Sequence, residues 1–221
     1  MPAGIVTGLA SEAAIARRLW PDALIGCAAS RPEKAMVEAA RLADAGAGAL
    51  LSFGIAGGLE PDLVPGSLVV ATEIVTEDGR HPCHPALRDW LQALLPEARL
   101  APVFGSDRPA ASPADKASLR ARSGAVAVDM ESAAVASIAG RRGLPFAVLR
   151  AIADPPERTL PPAALDAVDD NGRPAIGRVL RALLRRPWEL PALLRLGRDS
   201  RLAHRSLEGL FGRAGLRLPV A

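Results

Sequence analysis

Acidic side chains stand directly after several apolar segments of this sequence. The acidic residues in such positions are Glu12, Asp107, Asp129, Glu131 and Asp154. Another apolar segment runs into the glycine block GIAGG (54–58). The apolar segments are short and continuous, like the buried strands of a parallel sheet, and ligands bind beyond the carboxyl ends of such strands. We therefore expect these carboxylates and glycines to share one edge of a sheet and to form a binding site.

A carboxylate cluster without a neighbouring lysine or histidine favours a sugar over a phosphate as ligand. Carboxylates repel a phosphate. Sugar hydroxyls donate hydrogen bonds to carboxylates, and negative charge stabilises the oxocarbenium-like transition state of glycosidic cleavage. Asp154 ends an apolar segment, so burial is expected to raise its pKa and suit it to protonate a leaving group. Helix capping is the alternative explanation for each acid taken singly.

Predicted strands and helices alternate along the chain, and these elements must position the acidic residues and the glycine block. Short apolar segments predict strands at 3–9, 23–28, 48–54, 67–75, 100–104, 124–128 and 145–153. Helical patterns lie between most of them, at 11–19, 31–46, 86–95, 113–122 and 131–142. This alternation predicts an α/β fold of three layers, in which helices cover both faces of a twisted, mostly parallel or mixed sheet.

Length and composition are typical of a single domain over residues 1–221, with 49% hydrophobic residues. The N-terminus lacks a basic region ahead of a long apolar run, and no window approaches the ~18 uncharged apolar residues of a membrane span. We therefore expect a cytoplasmic protein. Cys27 and Cys83 lie far apart in the sequence, which favours a reducing compartment over a disulfide. No pattern indicates a metal or an organic cofactor.

Three blocks of the sequence resemble the signature blocks of the nucleoside phosphorylase and nucleosidase superfamily, which includes the methylthioadenosine/S-adenosylhomocysteine nucleosidases. These blocks are GIAGGLEPDLVPGSLVVA (54–71), AVDMESAAVASIAG (127–140) and FAVLRAIAD (146–154). The start GIVTGLASEA (4–13) is similar to that of the nucleosidases. The resemblance covers roughly residues 3–155. It implies the sheet of that superfamily and cleavage of an N-glycosidic bond.

The resemblance also implies roles for particular residues. It implies that Asp154 protonates a purine at N7 and that Glu131 holds the ribose hydroxyls. Met130 packs against the sugar in such enzymes, and Glu12 matches an acid that positions or activates water. The other substrate-binding candidates are Ile55, Ala56, Gly57, Phe104, Ser106, Asp107 and Asp129, the last of which also suits a supporting or capping role.

The sequence departs from the superfamily at positions that bear on the nucleophile and the base. Ile55 stands where phosphorylases, and many nucleosidases, have serine or threonine. Ser52 stands near the position at which phosphorylases of the bacterial hexameric type have a phosphate-binding arginine. Both departures favour water over phosphate. Arg31 and Gly54 keep phosphate binding open as an alternative. Nucleosidases carry an aromatic residue that stacks on adenine after the equivalent of GSD, and here Phe104 is the substitute candidate.

The C-terminal segment at about 173–221 is basic, with 11 arginines against three acidic residues. Leucine and arginine recur at helical spacing, and Trp188 lies at a proline break. Such a segment either packs its apolar face on the core or lies on an anionic membrane surface. The region between residues 9 and 48 is shorter than in typical members. Together, the short region and the basic tail resemble the hopanoid-associated phosphorylases, and this implies adenosylhopane as substrate.

The leading hypothesis is therefore hydrolysis of an adenine nucleoside, with adenosylhopane yielding adenine and ribosylhopane. Phosphorolysis of the same substrate, hydrolysis of methylthioadenosine or S-adenosylhomocysteine, and a non-catalytic membrane-associated nucleotide-binding module are the alternatives. The tail is expected to contact the membrane peripherally, and the resemblance implies a homo-oligomer. Nucleic acid is not an expected partner, because aromatic residues are sparse in the basic segment.

Overall fold

The computed structural model describes residues 1–165, 167–211 and 219. Within these residues one sheet contains the strands β1 (Ala3–Thr7), β2 (Leu24–Cys27), β3 (Ala49–Gly58), β4 (Leu68–Val75), β5 (Arg80–Pro82), β6 (Arg99–Gly105), β7 (Ala127–Asp129) and β8 (Phe146–Asp154). The helices are α1 (Ala10–Leu19), α2 (Pro32–Asp44), α3 (Pro85–Leu94), α4 (Pro113–Ser123), α5 (Ser132–Arg142), α6 (Pro162–Leu165), α7 (Ile176–Arg185) and α8 (Leu190–Glu208). A 3₁₀ turn, Pro187–Glu189, joins α7 to α8. The predicted α/β fold is confirmed. The short and partly exposed strand β5 was not predicted from the sequence.

The sheet is mixed and partly closed on itself. Its order is β2-β1-β3-β7-β6-β4-β5, and β8 pairs with both β3 and β4. β8 is parallel to β3 and antiparallel to β4, and β7 is antiparallel to β3. β6 is parallel to both β4 and β7. The five strands β3, β8, β4, β6 and β7 therefore form a closed ring.

Helices cover both faces of this sheet. α2 and α5 pack on the face to which Val6 and Val148 point, and α1, α3 and α8 pack on the face to which Ile5 and Leu149 point. Successive side chains of a strand point to opposite faces, so a strand buried on both sides must be apolar throughout. This requirement explains the continuous apolar segments of the sequence.

The glycine block 54–58 lies inside β3, and the prediction that the strand stops at residue 54 is wrong. β3 continues to Gly58 because it pairs with β8 as far as Asp154 and also with β7. A register shift between Ala56 and Gly57 marks an irregularity in the pairing with β8. The block therefore brings a backbone without large side chains beside the acidic end of β8.

Within the described residues, the predicted basic tail forms two helices, α7 and α8, which differ in how far their side chains are buried. α8 packs on the core and buries Ala203 and Leu207 completely. The rest of the described chain buries no residue of α7, and Leu184 is 86% exposed. Residues 212–218, 220 and 221 of the predicted tail lie outside the described residues. Core packing therefore holds for α8, while the apolar side chains of α7 stay on the surface.

The helices of the described ranges fall short of the requirements for a membrane span. None of them is both long enough and apolar enough to cross a bilayer.

Candidate active site

A cavity lies where β7 and β8 end, beside the glycine block of β3. Its described lining contains residues that the sequence predicts for the site, namely Ile55, Ala56, Gly57, Asp129, Met130, Glu131 and Asp154. The lining also contains Ser30, Arg108, Pro109, Ala110, Val128, Ala153 and Leu160. The expectation that the ends of separate strands meet in one place is therefore met for β7 and β8, with β3 contributing its glycine block.

Asp154 occupies one end of the cavity, where β8 stops. The ammonium group of Lys116, on α4, donates a hydrogen bond to Oδ2 of Asp154. Burial raises the pKa of Asp154 to about 6, and the charge of Lys116 offsets part of that rise. Asp154 is therefore an acid that holds a proton under mildly acidic conditions.

Asp129 caps α5, so the side chain of Glu131 does not serve as the cap. Its Oδ1 accepts hydrogen bonds from the backbone N–H groups of Glu131, at 3.1 Å, and Ser132, at 2.8 Å. Its Oδ2 accepts from the Ser132 hydroxyl. Helix capping thus explains Asp129, although the residue also lines the cavity. Because Asp129 serves as the cap, the carboxyl of Glu131 is available to the cavity.

Arg150 lies completely buried beneath the cavity and connects its polar groups. Its Nε donates to Oδ2 of Asp129 at 2.6 Å, and its Nη2 donates to the Ser52 hydroxyl at 2.5 Å. Nη2 also lies 3.4 Å from Oε2 of Glu131. The buried Nη1 has no hydrogen-bond partner among the described residues. Buried donors are normally paired, so Nη1 is suited to a ligand oxygen or a bound water.

Glu131 lies in close contact with the backbone of the β1–α1 turn. A Cβ atom at position 8 would lie 2.6 Å from Oε1 of Glu131, so only Gly8 leaves room for this carboxyl. Burial raises the pKa of Glu131 to about 8, although the nearby Arg150 acts in the opposite direction. The protonated form of the Glu131 carboxyl is therefore favoured near neutral pH.

Glu12 lies behind the cavity wall and caps α1. Its Oε2 accepts from the backbone N–H groups of Gly8, at 2.8 Å, and Leu9, at 2.7 Å. Its Oε1 accepts from the N–H of Ile55 at 2.8 Å. The backbone N–H of Ile55, within the glycine block, is therefore bonded to Glu12. Burial raises the pKa of Glu12, and the backbone hydrogen bonds from Ile55 and Leu9 together with the charge of Arg150 limit that rise.

The pairing of β3 with β8 shows that Arg150 and Asp154 lie at different levels along the sheet. Gly54 is the register partner of Arg150, and Gly57 is the partner of Asp154. Three residues of strand separate these two levels, which corresponds to roughly 10 Å. The Asp154 carboxyl therefore lies near Gly57, while the Arg150 guanidinium is bonded to Asp129 and lies beside Glu131.

Three predicted substrate contacts lie away from the described lining of the cavity. Phe104 is buried in a separate apolar cluster, where the Arg122 guanidinium lies 5.1 Å from the centroid of its ring. Ser106 donates its hydroxyl to the backbone carbonyl of Arg108 at 2.7 Å, and Asp107 is exposed. The chain turns after β6, so the following residues 108–110 reach the cavity in their place.

The two possible phosphate ligands are occupied by carboxylates. Arg31 forms an ion pair with Asp170 at 2.6 Å. A Cβ atom at position 54 would lie 2.6 Å from the Glu12 carboxyl, which shows how closely that carboxyl approaches Gly54. An anion at either position would therefore meet a carboxylate.

Sequence reasoning missed several polar residues of the site, among them Arg150, Lys116 and Ser30. Arg150 interrupts an otherwise apolar strand, and such a buried charge is a signal that could have been used. Lys116 is one of only two lysines in the chain, yet it lies in a helix with no motif around it. Ser30 reaches the cavity because Ala29 and Ser30 both have a φ of 53°. No sequence pattern predicts this left-handed backbone conformation for alanine and serine.

The fold and the cavity define a class of protein, a three-layer α/β protein with a cavity lined partly by acidic residues at strand ends. The sequence profile of the Phosphorylase superfamily matches residues 23–185. The chain belongs to this superfamily, as its three sequence blocks suggested. No curated protein sequence matches it significantly.

Solved structures with a similar fold include nucleoside-cleaving proteins from two bacteria. The 5′-methylthioadenosine/S-adenosyl homocysteine nucleosidase of Helicobacter pylori has a TM-score of 0.68 and 17% identity, over 95% of this chain and 97% of its own. The futalosine hydrolase of H. pylori gives the same four values. The corresponding nucleosidase of Neisseria meningitidis, in complex with methylthio-immucillin-A, has a TM-score of 0.67 and 16% identity, over 95% and 97% of the two chains. At these identities the similarity establishes the shared fold.

Proposed function

We propose that this protein hydrolyses the N-glycosidic bond of an adenine nucleoside. The observation that carries the proposal is the protonatable Asp154 at one end of a cavity whose lining also contains Glu131, beside the buried Arg150. Cleavage of a nucleoside needs polar groups at both its base and its sugar, because the base must gain a proton as it leaves while the sugar develops positive charge. Membership of the Phosphorylase superfamily supports the same chemistry.

At the base end, Asp154 is the general acid in this proposal. It donates its proton to N7 of the purine while the glycosidic bond breaks, so the base leaves as a neutral molecule. Gly57 supports this assignment, because a Cβ atom there would lie 3.4 Å from Oδ2 of Asp154 and would narrow the approach to the carboxyl.

At the sugar end, Glu131 binds the ribose hydroxyls and Met130 packs on the sugar. Arg150 offers the unpaired Nη1 donor near Glu131, and Glu12 lies next to the same cluster. We propose that the attacking water binds between these groups, where Glu12 accepts its proton.

Water is the proposed nucleophile because the cavity offers little to a phosphate. Ile55 is apolar, Ser52 accepts a hydrogen bond from Arg150, and Arg31 is paired with Asp170. A phosphate near Arg31 would be repelled by that aspartate. Phosphorolysis is therefore the second candidate, and the identity of the sugar product separates the two reactions.

We propose adenosylhopane as the substrate, with adenine and ribosylhopane as products. The resemblance of the short region 9–48 and the basic tail to the hopanoid-associated phosphorylases supports this substrate. The position of α7 also supports it, since α7 packs on α6, which closely follows the cavity residue Leu160. A lipid held at α7 would therefore lie near the cavity. The same resemblance supports a homo-oligomer.

Adenine release tests the proposal. Adenosylhopane in detergent and methylthioadenosine are each incubated with the protein, with and without phosphate, and adenine and the sugar product are quantified. We expect adenine and ribosylhopane from adenosylhopane in both buffers. A phosphoribosyl product formed only with phosphate would establish phosphorolysis, and turnover of methylthioadenosine alone would establish a small-substrate nucleosidase. No adenine from either compound would favour the non-catalytic binding module.

The activity is expected to decline as the pH rises through about 6. Burial raises the pKa of Asp154 to about 6, so the free protein loses its acidic proton above that pH. Because the protonated form is the active acid, kcat/KM falls about tenfold per pH unit on the alkaline side. Initial rates of adenine release between pH 4.5 and 9 measure this profile. A rate that increases up to pH 8 would contradict the assignment of Asp154 as the acid.

We also propose that α7 contacts an anionic membrane. Ile176, Leu180 and Leu184 lie on one side of the helix and are 67%, 57% and 86% exposed, and Trp188 follows with 72%. Arginines of the same helix, at positions 178, 181 and 185, accompany this apolar stripe. A basic amphipathic helix with an exposed tryptophan matches the chemistry of an anionic lipid surface.

Replacing Leu180 and Leu184 together by glutamate is expected to abolish binding to anionic vesicles. The two changes remove apolar area and add charge that anionic lipids repel, while no buried residue is altered. Co-sedimentation with vesicles containing phosphatidylserine measures the effect. The control is Val64→Glu, which changes a 60% exposed valine elsewhere and should bind as the wild type does. Equal sedimentation of the double variant and the wild type would refute the membrane contact.

A further inference from the structure

Lys116 is completely buried, and its ammonium group donates hydrogen bonds to Asp154 and to the turn that follows it. Its Nζ donates to Oδ2 of Asp154, to the carbonyl of Pro155 at 2.9 Å and to the carbonyl of Arg158 at 3.1 Å. An ammonium group has three donors, so these partners satisfy it. A buried charge is costly unless it is paired in this way, and Asp154 is the one carboxylate that Lys116 contacts among the described residues.

The other charged groups near Asp154 largely offset one another. Arg158, in the turn after β8, forms an ion pair with Asp199 of α8 at 2.8 Å. Their charges act on Asp154 in opposite directions, since Asp199 raises its pKa and Arg158 lowers it. Arg108 lies in the lining of the same cavity, on the loop before α4. Lys116 is therefore the cation that is bonded directly to the Asp154 carboxyl.

We propose that Lys116 is a positioning residue that directs the transferable proton of Asp154 to Oδ1 and stabilises the carboxylate left after transfer. This inference rests on the proposed role of Asp154 as the general acid. Because Oδ2 accepts from an ammonium group, a proton on the carboxyl is favoured at Oδ1. In the reaction the Oδ1–H bond breaks and the N7–H bond forms, while the glycosidic electron pair moves to the base. Lys116 keeps its three protons throughout and faces a full negative charge at the end of the step.

Lys116 also fixes the turn that follows the acid. The carbonyls of Pro155 and Arg158 accept from the same Nζ that bonds Asp154, so α4 holds both the carboxyl and residues 155–158. Leu160, two residues further on, lines the cavity. The same contact therefore orients the acid and supports one wall of the base end.

A titration of Asp154 in the ligand-free protein tests this inference without relying on activity. The carboxyl carbon of Asp154 is followed by NMR from pH 3 to pH 10 in wild type, Lys116→Met, Lys116→Arg and Lys34→Met. Removal of an adjacent cation raises a carboxyl pKa by about 1–3 units, and this is the shift expected for Lys116→Met. Lys116→Arg should restore a value near that of the wild type. Lys34→Met alters the other lysine of the chain, which donates to the carbonyl of Asp170, and should cause no shift.

The pH profile of kcat/KM provides the second readout. In Lys116→Met, the alkaline limb should move upward by the same shift and kcat should fall, whereas a purely structural role would lower the rate without moving the limb. If the methionine variant does not fold, Lys116→Gln keeps a hydrogen-bond donor without the charge and is measured in its place. An unshifted titration of Asp154 in the neutral variant would overturn the inference. Absence of adenine release by the wild type would instead refute the proposed function, and the titration would still report whether Lys116 controls the Asp154 proton.

Discussion

Asp154→Asn is expected to lower kcat for adenine release by about 10²–10⁴-fold, the usual contribution of a general acid. Asparagine has nearly the same shape and accepts the hydrogen bond from Lys116, but it has no acidic proton for N7. KM should change little, because the residue acts on the departing base and not on the ground-state sugar contacts. Single-turnover release of adenine measures the chemical step directly.

A substrate with a better leaving group sharpens this test. A 4-nitrophenyl riboside releases a stable phenolate that needs no proton, so Asp154→Asn should cleave it nearly as fast as the wild type. The matched control for the carboxyl is Asp89→Asn, at an exposed position on α3 outside the cavity. If the variant lost activity equally on both substrates, Asp154 would have a structural role and the acid would lie elsewhere.

Arg150→Met is expected to destabilise the fold by about 3–5 kcal/mol, the cost of leaving a buried charge without its partner. The guanidinium bonds Asp129 and Ser52 and lies beside Glu131, and all these groups are buried. Methionine fills similar space but leaves the acids without a cation. The free energy of unfolding from denaturant titration measures the loss.

A surface ion pair gives the appropriate comparison for Arg150. Arg142 lies 2.7 Å from Asp44, and the two side chains are 48% and 60% exposed. Arg142→Met should therefore cost less than about 1 kcal/mol. Losses of similar size in the two variants would show that Arg150 contributes no more than an exposed pair, and its assignment as the central cation of the site would be wrong.

Most of the strands could be located from the sequence because the buried strands are largely apolar, and β7 and β8 each end in an aspartate. That pattern located Asp129 and Asp154 at strand ends, and the structure brings both to one cavity. Closure of the sheet was not readable in this way, because the pairing of β8 with both β3 and β4 depends on contacts between segments distant in the sequence.

The acids of the site also show where a sequence pattern is ambiguous. Asp129 and Glu12 accept backbone N–H groups at helix starts, so capping accounts for their positions. Glu131 begins α5 without capping it with its side chain. The preference of an acid for a helix start is the same in all three cases. Only the geometry shows that Asp129 takes the capping role and leaves Glu131 to the cavity.

Lys116 and Phe104 illustrate long-range effects that local patterns do not contain. Lys116 reaches Asp154 because α4 packs beside the end of β8, although 38 residues separate the two in the sequence. Phe104 was a candidate for stacking on a base because it precedes GSD, but its ring is buried and lies under Arg122. The direction of a side chain at a strand end follows from the local twist and pairing of the strand, which the sequence does not specify.

The closed ring of β3, β8, β4, β6 and β7 has a consequence for hydrogen exchange across the molecule. A strand within the ring has a partner on both sides, so its amides become exposed only when the ring itself opens, at a free energy close to that of global unfolding. α7 contacts mainly α6 and the 3₁₀ turn, and it can open at a much smaller free energy. Asp129, Arg150 and Asp154 thus belong to the slowest-exchanging part of the chain, whereas α7, the helix that we propose to contact lipid, belongs to a separately opening unit.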